Sequence, residues 1–561
     1  MVRKTWFLYL PLLAVLLASC QAAKHSGAPA AAEEPPDPSV VQLIFTYGSE
    51  KEEWLKEVTA EFNNSGVQVG TKRVKVQALP MGSGECVEEI LSGKRKTHLV
   101  SPASNAFLVL GNAESKAKSG QELIAGKTRN LVLSPVVIAI WKPMAEALGW
   151  PAKPLGWADL KALAEKEDGW KSLGFPQWGR VKLGHTHPDY SNSGLIAVLA
   201  EVYAGAGKTA DLTLDDVAKP ATAQFVSAIE KAVVHYGSST GFFGRKMFQN
   251  GPDYLSAAVM YENMVVESYD PKYKTAFPVV ALYPKEGTFW SDHPVGVVQR
   301  DYVTAEHKEA AEKYIAFLLD KKQQEKAMKY GFRPGLETID LAAPIDAAHG
   351  VDPKQPTLEL QPPSAEVITA AVKLWKSNKK HAQIVVVMDT SGSMRQEGRM
   401  ANAKLGAQQM LGMLGDDDLV SLMGFSSAVN WVEKDGLKVG PNREKLSKHV
   451  ESFFPAGETA LYDAVAGACK YLQDNGRPDL IQAVVVLTDG EDNKSKLSLP
   501  ELLKEVKIDY EKRPIRVFAI AYGQDAKLDV LKKISDATEA KAYAGNPQTI
   551  KEVFKDIGTF F

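Results

Sequence analysis

The residues that could do chemistry are concentrated in the C-terminal third of the chain, where an Asp-x-Ser-x-Ser sequence begins at Asp389. It directly follows a run of Ile and Val that predicts a buried parallel strand. Two further polar turns have a similar setting: Thr459 stands just before a predicted helix, and Asp489 just after a second Val-rich strand. In an open α/β sheet, ligands bind outside the carboxyl ends of the strands, so we expect all three turns at one edge.

These turns supply two carboxylates and three hydroxyls, without any imidazole or thiolate. Mg²⁺ prefers six oxygen ligands and keeps water wherever the protein does not reach it. The lack of His and Cys argues against Zn²⁺ and Cu²⁺. We therefore predict a Mg²⁺ or Mn²⁺ site with one coordination position left open. Its predicted ligands are Asp389, Ser391, Ser393, Thr459 and Asp489.

The three turns resemble the metal-ion-dependent adhesion site of the von Willebrand factor type A domain. The predicted order of strands and helices over residues 381–561 agrees with that family. The resemblance implies a doubly wound, Rossmann-like domain in which a carboxylate from a protein partner fills the open metal position, without catalysis. The alternative is that these residues only cap helices in a Rossmann-like domain that binds no nucleotide.

Serines recur at predicted helix starts in the N-terminal half of the chain. Hydroxyls and free N–H groups at helix N-termini can bind an anion or a carboxylate, although Ser also caps helices without any ligand. Glu262 could receive a cationic group or could be a salt-bridged surface residue. The candidate ligand-binding residues are Ser49, Ser83, Ser101, Ser104, Ser191, Ser193 and Glu262.

Residues 40–350 resemble a class II periplasmic solute-binding protein, of the kind that delivers ligands to ABC transporters. The passages that carry the resemblance begin at Met81, Ser101, Asp189 and Gly331. The resemblance implies two α/β lobes joined by crossing strands, which we place at Leu131–Trp141 and Val295–Val303, with a small solute between the lobes. The identity of that solute does not follow from the sequence.

The N-terminus has the features of a processing signal. A short basic region precedes an apolar stretch that ends in Leu-Ala-Ser-Cys at Cys20, which resembles a bacterial lipobox. We predict a lipoprotein signal peptide over residues 1–19 and lipidation of Cys20; a plain secretory signal with an incidental cysteine is the alternative. Residues 20–39 are rich in Ala, Pro and Glu and read as a tether. Two or more acyl chains would hold the protein at a membrane surface.

Length and composition indicate several domains. At 561 residues the chain exceeds one ordinary core, and Pro-rich residues 343–363 precede a predicted helix at Ala365–Lys379. We therefore assign residues 351–380 to a linker and connecting helix. The formal net charge of −2 gives no electrostatic reason to expect nucleic acid. Cys86 and Cys469 are far apart in sequence and are predicted to be buried thiols.

Together these inferences predict an α/β binding protein of the bacterial cell envelope, extracytoplasmic and attached to a membrane only through its lipid anchor. Its predicted partners are a protein that presents Asp or Glu to the metal and a small solute or a protein at the N-terminal domain. The alternative is the substrate-binding component of an ABC transporter with an accessory type A domain. An enzyme is disfavoured because the sequence shows no nucleophile–base pairing, His cluster or Walker-type loop.

Overall fold

The computed structural model describes residues 37–561, apart from 125, 238, 337, 478, 508–514, 524–525, 539, 547–548 and 559. The predicted signal peptide, Cys20 and nearly all of the predicted tether lie outside these residues. Among the described helices, none is both long and apolar enough to cross a bilayer.

The N-terminal domain alternates strands and helices. The first helix shows how the sequence produces this pattern. Its apolar residues recur at helical spacing and are all buried: Trp54, Leu55, Val58 and Phe62. The strands are β1 (Val40–Gly48), β2 (Gln68–Val69), β3 (Lys72–Met81), β4 (Leu99–Ser101), β5 (Arg129–Asn130), β6 (Val132–Trp141), β7 (Leu183–Thr186), β8 (Val233–Gly237), β9 (Ala257–Tyr261), β10 (Val279–Leu282), β11 (Trp290–Ser291), β12 (Pro294–Val297) and β13 (Arg333–Pro334). The helices are α1 (Glu52–Asn64), α2 (Ser83–Leu91), α3 (Asn105–Ser119), α4 (Lys142–Ala147), α5 (Trp157–Ala164), α6 (Asn192–Ala206), α7 (Leu214–Ala218), α8 (Pro220–Glu230), α9 (Thr240–Asn250), α10 (Glu262–Glu267), α11 (Ala305–Leu318) and α12 (Lys321–Lys329).

Two separate sheets confirm the predicted two lobes. The first has the order β2-β3-β1-β4-β12-β5, and the second has the order β10-β6-β9-β7-β8, with β11 and β13 also paired to β6. The chain crosses between lobes where β5 is followed by β6, at the start of the predicted Leu131–Trp141 crossing. It returns between β11 and β12, slightly before the predicted Val295–Val303 crossing, of which only residues up to Val297 form a strand.

The C-terminal domain is a single sheet with helices around it. Its strands are β14 (Ala382–Asp389), β15 (Leu419–Phe425), β16 (Val429–Lys438), β17 (Ile481–Thr488), β18 (Ile515–Tyr522) and β19 (Ala542–Gly545). The remaining helices are α13 (Ala365–Asn378), α14 (Arg399–Met413), α15 (Val439–Glu451), α16 (Leu461–Asn475), α17 (Leu499–Val506), α18 (Leu528–Ala537) and α19 (Ile550–Gly558).

The strand order β16-β15-β14-β17-β18-β19 is that of a doubly wound Rossmann-like sheet. All neighbours are parallel except β16, an antiparallel edge strand. The predicted fold class is therefore confirmed. Sequence analysis missed β16, and the reason is visible in its burial: it contains no buried residue, so it lacks the apolar pattern that marked the other strands.

The helix α13 does more than connect the two domains. Trp375 is fully buried and packs edge-on against Tyr236 of the second lobe, with ring centroids 5.3 Å apart. At the helix end, the buried Lys379 donates a hydrogen bond to the carbonyl of Phe561. The two thiols, Cys86 and Cys469, are both buried and free, as predicted.

Candidate functional site

The two carboxylates of the predicted metal site lie at the ends of neighbouring central strands. Asp389 is the last residue of β14, and Asp489 directly follows β17. The strands pair in parallel, with Met388 opposite Leu487, so their carboxyl ends coincide. The chain order reverses between these two strands, which is the topological switch point where open α/β sheets bind ligands.

A continuous path of hydrogen bonds joins four of the five predicted metal ligands. Asp389 Oδ1 accepts from the Ser391 backbone N–H at 2.7 Å, and its Oδ2 accepts from the Thr488 hydroxyl at 2.5 Å. The hydroxyl oxygens of Ser391 and Ser393 are 3.0 Å apart. Ser393 then donates to Asp489 Oδ1 at 2.7 Å. The first and third turns therefore form one polar unit.

The middle turn is joined to the same unit and contributes the fifth predicted ligand. The Gly392 N–H donates to the Gly457 carbonyl at 2.9 Å. The Thr459 hydroxyl lies against Gly490: a Cβ atom at that glycine would be 3.7 Å from it. Asn493 holds Thr459 in place, because its side-chain oxygen accepts from the Thr459 N–H at 2.8 Å. All five predicted ligands are thus brought to one edge of the sheet.

Both carboxylates are fully buried, with no exposed surface. Burial raises the pKa of Asp389 to about 6; the Thr488 and Ser391 hydrogen bonds oppose that rise, and the nearby Asp489 charge adds to it. Buried carboxylates are costly unless a positive group or hydrogen bonds compensate them. The site is therefore suited to a positively charged ligand.

The structure supplies one positive group that sequence analysis missed. Arg399 Nη1 contacts Asp489 Oδ2 at 2.8 Å, and its side chain is nearly buried. Arg399 therefore offsets part of the repulsion between the two carboxylates before any metal ion binds. Little in the sequence indicated that Arg399 would be buried. Arg399 is the first residue of α14, and a charged residue at that position is ordinarily exposed.

The donor set fits a hard divalent cation. It consists of oxygen atoms only, from two carboxylates and three hydroxyls. Hydrogen bonds through Ser391 and Ser393 already link the two carboxylates. Mg²⁺ or Mn²⁺ would be held by the five predicted residues and would supply positive charge for an incoming carboxylate. Asp492, in the turn after Asp489, does not join this set, because it accepts hydrogen bonds from the Tyr462 N–H and the Ser495 hydroxyl.

In the N-terminal domain, the two lobes touch directly at the predicted solute cleft. Ser104 of the first lobe donates to Asn192 Oδ1 of the second lobe at 2.5 Å. The Gly84 N–H donates to the Tyr190 carbonyl at 3.2 Å. A Cβ atom at Gly84 would collide with the Asp189 carbonyl oxygen, so only glycine permits this approach. The structure is therefore a closed form.

Most of the predicted cleft serines are buried and bonded within the protein. Ser83 accepts from the Ala103 N–H at 3.0 Å. In the second lobe, the Ser193 hydroxyl is 2.8 Å from that of Thr240, and the Ser191 hydroxyl is 3.3 Å from it. Ser101 is also buried, and its hydroxyl approaches the His293 carbonyl, whereas Ser49 is half-buried at the turn after β1. Of these serines, Ser104 bonds to the other lobe, whereas Ser83, Ser191 and Ser193 bond within their own lobes.

Glu262 has a cationic partner of its own. Arg333 contacts both of its carboxylate oxygens, at 2.7 and 2.6 Å, and Tyr283 donates a third hydrogen bond. Glu262 has no exposed surface, so it is not a surface residue. The ion pair with Arg333 accounts for this carboxylate without any ligand.

A buried charged cluster at the lobe boundary also escaped sequence analysis. Lys51 Nζ contacts Glu50 Oε1 at 2.6 Å and His293 Nδ1 at 3.0 Å, and none of the three side chains is appreciably exposed. Burial and the nearby Lys51 charge lower the pKa of His293 to about 4, so the imidazole is neutral at pH 7. The signal in the sequence was a Glu-Lys pair directly after the Gly-Ser turn that ends β1.

Two family models match the chain in succession. Residues 43–333, just over half of the chain, match the model described as bacterial extracellular solute-binding protein. Residues 383–556 match the model described as von Willebrand factor type A domain.

Similar curated proteins match only one region each. Inter-alpha-trypsin inhibitor heavy chain H2 of Mus musculus is 25% identical over 187 residues, which cover 31% of this chain and 20% of that protein. The voltage-dependent calcium channel subunit alpha-2/delta-3 of Homo sapiens is 27% identical over 152 residues, covering 26% of this chain and 13% of that protein. The chain thus spans a fifth or less of the length of these relatives.

Solved structures resemble each region separately. A periplasmic thiamin binding protein is 14% identical, with a TM-score of 0.43, covering 60% of this chain and 96% of that chain. A von Willebrand factor type A structure from Catenulispora acidiphila is 21% identical, with a TM-score of 0.29, covering 32% of this chain and 42% of that chain.

Proposed function

Because the chain belongs to the family of bacterial extracellular solute-binding proteins and also carries a von Willebrand factor type A domain, we propose that it captures an acidic protein partner through a metal ion. Both matched families are families of binding domains. The observation that carries the proposal is the hydrogen-bonded path from Asp389 to Asp489, with Thr459 beside it.

The charges at the site favour a carboxylate as the captured group. Arg399 offsets the charge of one of the two carboxylates. A divalent ion therefore leaves the site with net positive charge, which attracts an incoming Asp or Glu more strongly than an exposed surface would. The ion is Mg²⁺ or Mn²⁺, because every donor is oxygen.

Peptides provide a direct test of carboxylate capture. We expect the Mn²⁺-loaded full chain to bind members of an Asp-containing peptide array and to release them in EDTA, because the metal takes up the carboxylate. Thr459→Ala should weaken peptide binding about tenfold while changing Mn²⁺ affinity less, because a neutral hydroxyl supplies little charge to the ion. The readout is fluorescence anisotropy of labelled peptides, with Mn²⁺ binding followed by electron paramagnetic resonance.

Two controls make this test specific. Thr369→Ala removes a hydroxyl that bonds only to its own helix, so it should change neither measurement. Matched peptides with Asn in place of Asp should not bind. Equal binding of Asp and Asn peptides, or binding that survives EDTA, would exclude metal-mediated carboxylate capture.

We also propose that Cys20 is lipidated and anchors the chain outside the cytoplasm. The lipobox-like Leu-Ala-Ser-Cys sequence supports this. We expect Cys20→Ser to leave the protein soluble or unprocessed, because two acyl chains provide stable membrane binding and their loss removes it. Detergent-phase partitioning and intact mass after globomycin treatment measure the effect. Equal membrane association of both proteins, with no acyl mass on either, would overturn the proposal.

For the N-terminal domain, we propose that the predicted cleft serines receive a small solute between the lobes. The second candidate, a protein-docking role, is favoured by the direct Ser104–Asn192 contact, which closes the cleft with the protein's own groups. A screen of oxyanions, amino acids, sugars and polyamines should reveal a solute that raises the melting temperature of the full chain. A ligand at a hundredfold its dissociation constant stabilises a protein by about 2.7 kcal/mol.

A matched pair of serine variants separates these candidates. Ser193→Ala should reduce the solute-induced shift because Ser193 follows Asn192, which contacts the first lobe, whereas Ser377→Ala, on the exposed face of α13, should not. If no solute class shifts the melting temperature, the protein-docking role takes precedence. If a solute raises the melting temperature, the next hypothesis to test is that the chain is a transporter component with an accessory type A domain.

A further inference from the structure

A second group of metal-binding side chains lies inside the second lobe, away from the site at Asp389. It consists of His185 on β7, Glu201 on α6 and Glu230 at the end of α8. One ligand atom from each lies within 4.8 Å of the other two. The side chains of His185, Glu201 and Glu230 are 2%, 0% and 0% exposed, so water does not solvate their charges. Sequence analysis did not single out any of them.

The hydrogen bonds of His185 determine which of its nitrogens is free to bind an ion. His185 Nδ1 is 2.7 Å from the Thr186 carbonyl oxygen, which can only accept, so Nδ1 carries the hydrogen. In the neutral imidazole, Nε2 then presents a lone pair. That lone pair faces Glu230 Oε1, another acceptor, at 2.9 Å. Bonding of one ring nitrogen to a backbone carbonyl while the other binds metal is the usual arrangement of metal-ligating histidines.

The carboxylates lack enough donors to satisfy them. Glu230 Oε2 accepts from the Tyr236 hydroxyl at 2.6 Å. Within the described part of the chain, neither oxygen of Glu201 accepts a hydrogen bond from another residue, and the acid beside it is Glu230, which can donate only if one of the two carries a proton. Burial of an ionised carboxylate without a partner is strongly unfavourable. Either a bound cation or added protons must therefore balance these three acceptors.

We propose that His185, Glu201 and Glu230 bind a divalent transition metal, with Zn²⁺ as the best fit. Zn²⁺ accepts both imidazole nitrogen and carboxylate oxygen as ligands, whereas Mg²⁺ prefers oxygen alone. A cavity of about 10 Å³ adjoins His185 and Glu201, roughly the space that one water molecule needs as a fourth ligand. This site is independent of the oxygen-only site at Asp389.

The position of the cluster indicates a structural role. Tyr236, which bonds Glu230, also packs against Trp375 of α13, and its N–H donates to the Phe560 carbonyl at 3.4 Å. His185 lies against the same tryptophan, with ring centroids 6.2 Å apart. A metal bound here would hold rigid the face of the second lobe on which the connecting helix and the C-terminus pack.

The test measures metal in a background that lacks the other site. Full chain with Asp389→Ala, purified from zinc-supplemented cells and dialysed against EDTA, should retain about one Zn²⁺ per chain by mass spectrometry of the metal. Adding Glu201→Gln, which keeps the side-chain shape but removes the charge, should lower that content at least tenfold. Adding Glu122→Gln, at an exposed glutamate, should leave it unchanged.

X-ray absorption at the zinc edge of the Asp389→Ala protein keeps the proposal testable if the double variant fails to fold. One imidazole nitrogen with carboxylate oxygens around zinc supports it. The competing arrangement has two protons in place of the metal, so that Glu201 is a neutral acid and His185 an imidazolium. Absence of zinc from Asp389→Ala, with Glu201→Gln as stable as its parent, would establish that arrangement and overturn the proposal.

Discussion

Replacement of Asp389 by alanine is expected to abolish Mg²⁺ and Mn²⁺ binding at the type A domain while leaving the fold intact. Asp389 is one of two carboxylates among the five proposed ligands, so its loss would remove half of the negative charge available to hold the ion. It is the last residue of β14, so its replacement leaves the apolar side chains of that strand in place. Calorimetric titration of the EDTA-stripped full chain should therefore show Mg²⁺ uptake by wild type and none by Asp389→Ala.

The Mg²⁺ affinity measured in this titration should depend on pH. The pKa of Asp389 is about 6 without metal, mainly because of burial, and a ligating carboxylate must be deprotonated. Mg²⁺ affinity should therefore fall by up to about tenfold per pH unit below pH 6. The raised pKa also means that the metal-free fold loses roughly 3 kcal/mol as pH rises from about 4 to above 6. Mg²⁺ should accordingly stabilise the domain more at pH 7.5 than at pH 5.

Asp474→Ala is the matched control, because Asp474 is an exposed carboxylate that pairs with Lys470 on α16. It should bind Mg²⁺ as wild type does at every pH. If wild type and Asp389→Ala take up Mg²⁺ and Mn²⁺ indistinguishably, the five-residue assignment is wrong. A pH-independent affinity between pH 5 and 7 would instead show that Asp389 is not the residue whose proton the metal displaces.

Arg399→Gln is expected to make the type A domain depend on metal for its stability. The guanidinium contacts Asp489 in a nearly water-free position, and removing one partner of a buried ion pair costs about 3–5 kcal/mol. A divalent cation can replace the missing positive charge. The stabilisation produced by Mg²⁺ should therefore be larger in Arg399→Gln than in wild type. Hydrogen exchange of peptides from β14 and β17, measured in Mg²⁺ and in EDTA, reports on this domain separately from the other.

Arg395→Gln supplies the comparison, since the Arg395 guanidinium donates to the Pro455 carbonyl instead of pairing with Asp489. Its exchange should respond to Mg²⁺ as that of wild type does. If Arg399→Gln instead loses equal stability in Mg²⁺ and in EDTA, then Arg399 acts through packing alone. The net charge that we assign to the metal-loaded site would then need revision.

The sequence by itself predicted the fold class and the five side chains of the proposed metal site. Val and Ile runs mark buried parallel strands because both faces of such a sheet are covered by helices. Asp389 and Asp489 each directly follow such a run, and parallel strands bring their carboxyl ends to one edge. Short-range information is sufficient when a motif sits at a strand end, because the sheet supplies the long-range geometry.

Only the tertiary structure decided which charged groups became buried and which residues they pair with. Arg399 reaches Asp489 across 90 positions of sequence, Arg333 reaches Glu262 across 71, and His185 reaches Glu230 across 45. Charged side chains are usually exposed. The hydrophobicity pattern of the sequence therefore predicts that each of these side chains is exposed to solvent. Their burial depends on how separate helices and strands pack, and that packing also closed the two lobes on each other. Such pairings are long-range, and no local spacing along the chain encodes them.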